Sequence, residues 1–207
     1  RLNAVEKQMI ISVGREFGSG GHEIAQNLSD IYNLKLYDQN LLDHVAEEYN
    51  LDGEELYALD EKKKNYLFAR TVMGMTNSPA ENVANLQFNF LRKKAEAGES
   101  FVVVGRCSDY ILKGYPGFIS IFILGDRDVK AERIMKLYNM SREKAVLFIE
   151  EHDRERKKYH NSHCKIKWGD SRGYDLSVNS SRLGIQGSVK LICDYIEMRM
   201  KIGEMTE

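Results

Sequence analysis

No apolar run in this chain is long enough to cross a bilayer; even Ile119 to Leu124 is only a strand's worth of residues. No basic-then-apolar leader opens the chain, and the expectation is a cytoplasmic protein. Net charge is also nearly absent, because 30 Lys and Arg stand against 31 Asp and Glu. No global field therefore draws the chain to nucleic acid or to an anionic membrane, and any polyanion must be met by a local basic patch. Cysteine is scarce. Cys107, Cys164 and Cys193 form no CxxC pair and leave one over, which argues against a disulfide framework and suits a reducing compartment. Internal repeats, low-complexity tracts and linkers are missing too. With 207 residues, the expectation is one domain over 1–207 with a single substantial core.

What is present alternates. Gln8 to Val13 is a short apolar, β-branched run ending at Gly14, which reads as a buried parallel strand. A glycine-rich turn follows, and from His22 to Asn33 the spacing of Ile24, Ala25, Leu28, Ile31 and Tyr32 predicts a helix with one buried face. Leu34 to Tyr37 reads as a second strand ending in Asp38, and Asn40 to Tyr49 as another helix. Between Gly53 and Gly98 the patterning is helical throughout, with Pro79 its one proline, and this block is expected to cover a cleft. Its aromatic and amide residues, including Phe68, Gln87, Phe88 and Phe90, read as ordinary helix core.

Phe101 to Val104 and Phe118 to Leu124 are continuous apolar strands that deliver Gly105-Arg106 and Gly125-Asp126 at their carboxyl ends. Helices are expected over Val129 to Tyr138 and over Ser141 to Tyr159, the latter with Ser141 as N-cap. A strand from Tyr174 to Val178 and a helix from Val189 to Met200 close the chain. Strands alternating with helices predict an α/β fold with a parallel sheet covered on both faces, and ligands then sit beyond the strand carboxyl ends.

The turn Gly14-Arg15-Glu16-Phe17-Gly18-Ser19-Gly20-Gly21 joins a strand to a helix, so its amides converge on an anion at the positive helix end. Aligned on the Walker pattern, Gly20 is the second glycine, Arg15 takes the place of the first, Gly21 that of the lysine and His22 that of the Ser or Thr. The lysine ordinarily reaches the β and γ phosphates and the hydroxyl holds Mg²⁺. Three readings stand: a turn with no ligand, a dinucleotide fold with Asp38 as its ribose-binding acid but Glu23 in the third-glycine slot, and a modified P-loop.

Phosphoryl transfer requires neutralisation of the moving group, so the placement of arginines is informative. Arg106 follows a strand, Arg127 and Arg133 flank the start of a helix, and Arg154, Arg156, Lys157 and Lys158 crowd the next one. On that helix Arg154 and Lys158 share a face, and Asp153 pairs with Lys157 at i, i+4. A solvated charged helix is the plain reading; a mobile lid is the functional one. His160, His163 and Cys164 read as a partly exposed loop rather than a metal site, and no metal ligands are expected.

The chain resembles the cytidylate kinase-like family, relatives of cytidylate kinase with a divergent P-loop. The resemblance rests on Arg15-Glu16-Phe17-Gly18-Ser19-Gly20-Gly21, Tyr37-Asp38, Gly105-Arg106-Cys107-Ser108-Asp109-Tyr110, the basic segment His152 to His160, Trp168-Gly169-Asp170, and Tyr174-Asp175-Leu176 leading to Asn179-Ser180-Ser181-Arg182. It implies a three-layer P-loop NTPase fold of the nucleoside monophosphate kinase type: a five-stranded parallel sheet, core over 8–52 and 99–200, a helical monophosphate-binding insertion over 53–98, and a lid over about 127–172.

It further implies ATP- and Mg²⁺-dependent transfer to a nucleoside monophosphate. Arg15, Arg106, Arg133, Arg154 and Arg156 are the expected catalytic residues. Gly18, Ser19, Gly20, Gly21, His22 and Glu23 are the expected phosphate contacts, and Asp38, Arg106, Asp109 and Tyr159 the acceptor contacts. Nucleotides are the expected partners, with no nucleic acid or membrane, and a homodimer is left open. The alternatives are nucleotide binding without transfer, or transfer to another small acceptor. Cytidylate kinase proper keeps the loop lysine and has aspartate after the strand-borne arginine; here Gly21 and Cys107 stand there.

Overall fold

The computed structural model describes residues 7–61, 71–72, 75–76 and 79–205. The chain runs β1 (Ile10–Arg15), α1 (Gly21–Tyr32), β2 (Lys35–Tyr37), α2 (Leu41–Tyr49), α3 (Gly53–Glu61), β3 (Thr71–Val72), β4 (Met75–Thr76) and α4 (Pro79–Glu96). It continues β5 (Phe101–Val104), α5 (Ser108–Ile111), β6 (Phe118–Leu124), α6 (Arg127–Tyr138), α7 (Arg142–His163), a 3₁₀ turn (Ser171–Gly173), β7 (Leu176–Asn179) and α8 (Ser180–Met205).

Five strands pair in parallel in the order β2-β5-β1-β6-β7. Side chains alternate across each strand, so β1 supplies both layers of the core. Ile11 and Val13 face α1 and α8, meeting Ile24, Leu28, Ile192 and Ile196. Ile10 faces the opposite layer, with Tyr37, Leu41, Phe90, Leu91 and Phe101. Each large aliphatic side chain so buried contributes about 1.5–3 kcal/mol. The result is helix on sheet on helix, the P-loop NTPase architecture of the nucleoside monophosphate kinase type.

The strand order turns about β1: β2 and β5 lie to one side of it, β6 and β7 to the other. At such a switch point the loops at the strand carboxyl ends part, leaving a crevice there.

Several local features differ from the sequence reading, among them the last strand, which is Leu176–Asn179 rather than Tyr174 to Val178, and α7, which runs on past Tyr159 to His163. The block from Gly53 to Gly98 is not wholly helical: Thr71 pairs with Thr76 and Val72 with Met75 in a small antiparallel hairpin. Thr71, Val72 and Thr76 are β-branched, a residue type that favours extended backbone over helix. Within that block Gln87, Phe88 and Phe90 are buried core, while Phe68 lies outside the described residues. The first strand also runs two residues beyond Val13, so Arg15 is its last residue. Ser141 caps α7 as expected, its Oγ accepting from the Lys144 amide at 3.4 Å.

Candidate active site

The phosphate-gripping candidate is built at the end of β1. Gly18 and Gly20 adopt left-handed backbone, with φ of 80° and 79°, which glycine reaches without strain. Gly20 is the N-cap of α1. The loop is laced shut from two sides: Ser19 Oγ donates to Glu16 O at 2.8 Å, and Ser180 Oγ, at the start of α8, donates to Ser19 O at 2.6 Å. The leading amides of α1, from Gly21, His22 and Glu23, have no intrahelical acceptor and point out of the helix end.

Glycine at position 21 has a steric cause. A Cβ there would overlap the Arg15 Cβ and lie 2.8 Å from its Cγ. The Arg15 side chain therefore runs through the space that a lysine at 21 would need. Its guanidinium ends against Gly105, where a Cβ would overlap Nη1 and lie 3.4 Å from Cζ.

The turn after β5 carries the next arginine. Gly105, Arg106 and Cys107 are all left-handed, with φ of 69°, 55° and 57°. Two such non-glycine residues in succession are a strained arrangement of the kind held at functional sites. Ser12 and Ser108, in contact through their hydroxyls at 2.7 Å, fasten the turn to β1. Arg106 Nη1 donates to Asp60 Oδ2 of α3 at 3.0 Å, and its guanidinium also meets Tyr159 of α7.

A third arginine arrives from α7. Arg156 Nη1 donates to Arg15 O at 3.2 Å, and its guanidinium lies 5.2 Å from the Phe17 ring centroid. Arg15, Arg106 and Arg156 thus line one cavity of about 50 Å³ at the ends of β1 and β5. Burial, and after it the charge of Arg156, pushes the Arg15 pKa down to about 9; the nearby Asp38 carboxylate opposes this. The group stays cationic at neutral pH, stripped of water and set beside two further cations, Arg106 and Arg156, an arrangement that an anion would relieve.

Other expected residues lie around this centre. Arg133 Nη2 donates to Glu23 Oε2 at 2.6 Å, and its Cζ is 3.7 Å from where a Gly20 Cβ would sit, so it stands over the helix end. His22 is exposed and hydrogen-bonds Asp38. Asp109 is buried and bonded to His160 at 2.7 Å, and so forms the wall of the cavity. Arg154 is not brought to the cluster. Two residues from Arg156, it lies on another side of α7, in a roomier groove of about 550 Å³ with Arg127, Lys157 and Trp168.

Sequence reasoning missed how the loop is clamped. The Phe17 ring inserts between α6 and α7, stacked on His152 at 4.3 Å and edge-on to Phe148 at 5.3 Å. Asp153 does not pair with Lys157; its Oδ1 accepts from the Phe17 amide at 2.6 Å and its Oδ2 from Lys130 Nζ at 3.4 Å. Lys130 also donates to Glu16 Oε2 at 2.8 Å, which in turn accepts from the Gly125 amide at 3.1 Å. These residues are far apart in sequence, so spacing carries no trace of them. A bulky aromatic inside a phosphate loop was the one available signal.

His160 and Cys164 also depart from the expected exposed loop: both are buried at the end of α7. Among the described residues no group of His, Cys, Asp and Glu could hold a metal ion, and no helix is long and apolar enough to cross a membrane.

The sheet order, the glycine turn entering a helix and the converging arginines define a P-loop kinase fold. Comparison with known proteins specifies it further. Residues 10–182 match the model of the cytidylate kinase-like family, and the chain belongs to that family. Cytidylate kinase of Pyrobaculum calidifontis is 21% identical over 189 residues, covering 91% of this chain and 92% of that protein. Cytidylate kinase of Methanocaldococcus jannaschii is 23% identical over 192 residues, covering 91% and 98%. Among solved structures, an uncharacterized protein from Eubacterium ventriosum is 39% identical with a TM-score of 0.74, covering 92% of this chain and 99% of that one. Shikimate kinase from Bacteroides thetaiotaomicron, 15% identical with a TM-score of 0.54 over 91% and 98%, shares the fold.

Proposed function

We propose that the chain transfers the γ-phosphoryl group of ATP to a nucleoside monophosphate, with Arg15 supplying the charge that a P-loop lysine ordinarily carries. The observation behind this is the convergence of Arg15, Arg106 and Arg156 between the phosphate loop and the end of β5.

The loop fits a donor triphosphate: its left-handed glycines open the backbone, and the α1 amides and Arg133 face the same point. It offers no hydroxyl for Mg²⁺, because His22 stands there, bonded to Asp38. Mg²⁺ would enter on the phosphates, with Asp38 the neighbouring carboxylate, and would neutralise charge on the transferring group. Arg106 and Arg156 would orient the acceptor phosphate, which is itself nucleophilic at neutral pH and needs no general base. The α6–α7 hairpin, acting as a lid, would exclude water around the loop it already grips through Phe17.

ADP release from ATP and Mg²⁺, with CMP, dCMP, UMP and AMP offered in turn, tests this reading. Silence with every acceptor would refute it. Nucleotide-induced thermal stabilisation without turnover would then favour a binding module, the reading to which the missing lysine and hydroxyl point. Turnover with a different phosphorylatable metabolite would keep the transfer and change the acceptor.

A further inference from the structure

Arg154 and Lys157 of α7 take no part in the arginine cavity. They line the groove of about 550 Å³, a volume within the range of small-molecule sites. Groove and cavity share Trp168 and no other lining residue.

Charge in the groove is unevenly settled. Its three carboxylates already have partners: Glu16 and Asp153 hold Lys130 at 2.8 and 3.4 Å, and Glu150 holds Arg127 at 2.9 Å. Arg154 and Lys157 have no ion pair among the described residues and are exposed. Residues three apart on a helix are neighbours on its surface, so two unbalanced cations border one space. Val146 and Ile149 give that space an apolar wall, and Trp168 gives it a flat aromatic one. The indole is half-buried and fixed in place: its ring meets Phe122 edge-on at 5.3 Å, and its backbone amide donates to Asn161 Oδ1 at 2.9 Å.

We propose that this groove is a second nucleotide site, in which Trp168 stacks the base of a nucleoside triphosphate while Arg154 and Lys157 hold its phosphates. Each part of such a ligand meets its complement. Any nucleobase can stack on an aromatic side chain, and the phosphates supply the negative charge that the two cations lack. The basic lining comes from two helices, Arg127 and Lys130 on α6 and Arg154 and Lys157 on α7, which suits a chain of phosphates more than a single one. The position also gives an occupant a route to the phosphate loop. Glu16, Lys130 and Asp153 belong to the groove's lining, and Asp153 also holds the Phe17 amide. A bound nucleotide would thus touch the residues that hold the loop without competing for Arg15, Arg106 or Arg156.

Trp168 is the one tryptophan of the chain, so its fluorescence reports on the groove. Because it also borders the arginine cavity, the titration needs variants that separate the two. The full chain is titrated with ATP and with CTP, in EDTA to prevent transfer, as wild type, as Arg15→Ala and as the double variant Arg154→Ala, Lys157→Ala, with melting temperatures confirming that each is folded. The expected result is a saturable quenching component that keeps its midpoint in Arg15→Ala and weakens at least about tenfold in the double variant. Quenching that the double variant retains at wild-type affinity, that Arg15→Ala abolishes, or that neither nucleotide produces at millimolar concentration overturns the proposal. The titration needs no acceptor and no turnover, so its outcome stands apart from that of the transfer assay.

Discussion

The side chain of Arg15 occupies the space that a side chain on Gly21 would require. The two departures from the Walker pattern, an arginine at the first glycine and a glycine at the lysine, are thus one exchange seen from two ends. Position 21 lacks the charged side chain, and position 15 sends one through the same volume from the end of β1.

Stability should show this exchange. Gly21→Lys alone forces overlap with Arg15 and should cost about 1–3 kcal/mol. Combined with Arg15→Gly it should cost markedly less, giving a coupling energy in a double-mutant cycle read from urea unfolding. Additive effects of the two substitutions would mean that they do not share the space.

The clamp around Phe17 makes a second prediction. Phe17→Ala removes a ring packed among α6 and α7 and should cost about 2–3 kcal/mol. Asp153→Ala strands the Phe17 amide and leaves Lys130 with Glu16 alone, costing about 3 kcal/mol. Urea midpoints check both, and losses well under about 1 kcal/mol for both substitutions would show that the loop holds its shape without the helices.

Asp60 bears on acceptor affinity. Its carboxylate holds Arg106 at 3.0 Å, so an incoming phosphate must compete with it. Asp60→Asn should lower the acceptor KM about fivefold, equivalent to about 1 kcal/mol, with kcat little changed. A raised KM would instead make Asp60 a residue that positions Arg106.

The His160–Cys164 pair has its own pH signature. Burial alone would lower the imidazole pKa, but the bond to Asp109 and the contact with Cys164 raise it to about 10 from 6.5. Folding thus adds a proton to the ring, while the Cys164 thiol, lowered by its Cys107 and His160 neighbours, gives one up, so across neutral pH the two effects cancel. Stability attributable to the pair should stay level there and fall only as pH rises from 9, where an unfolded thiol ionises, through about 10. Cys164→Ser removes the cancelling half. The ring, still raised by Asp109 though less than in wild type, then contributes fully below pH 6.5 and loses that contribution as pH climbs through its folded pKa. Urea midpoints from about pH 6 to about pH 9 should be level for wild type and decline for the variant; parallel curves would contradict the pairing.

Much of the fold was legible in the sequence because apolar strands and one-sided helices leave local patterns. The strands from Phe101 and Phe118 have the observed limits, and Ser141 caps its helix as its side chain predicts. The Thr71–Met75 hairpin was missed because two residues per strand are too short for any period to register. Within the candidate site, Arg15, Arg106 and Arg156 could be named from their places after strands and on one helix. Their neighbours could not. Asp60, Lys130 and Asp153 reach the site across long stretches of chain, and an exposed charge and a buried one look alike in a sequence. Arg154 shows the converse limit, since two residues along a helix turned it away from Arg156 into another groove.

The central claim is that Arg15 grips phosphate in place of the loop lysine, and acceptor-dependent ADP release by wild type, Arg15→Ala and the double variant Arg15→Gly, Gly21→Lys tests it most directly. Loss of one such charge-stabilising group should lower kcat by about 10²–10³-fold in the single variant, with the melting temperature showing an intact fold. The double variant, in which Arg15→Gly removes the Cβ and Cγ that would overlap a side chain at position 21, should regain a substantial part of that loss. Turnover undiminished in Arg15→Ala would contradict the account and leave the grip on phosphate to the helix amides and the remaining arginines.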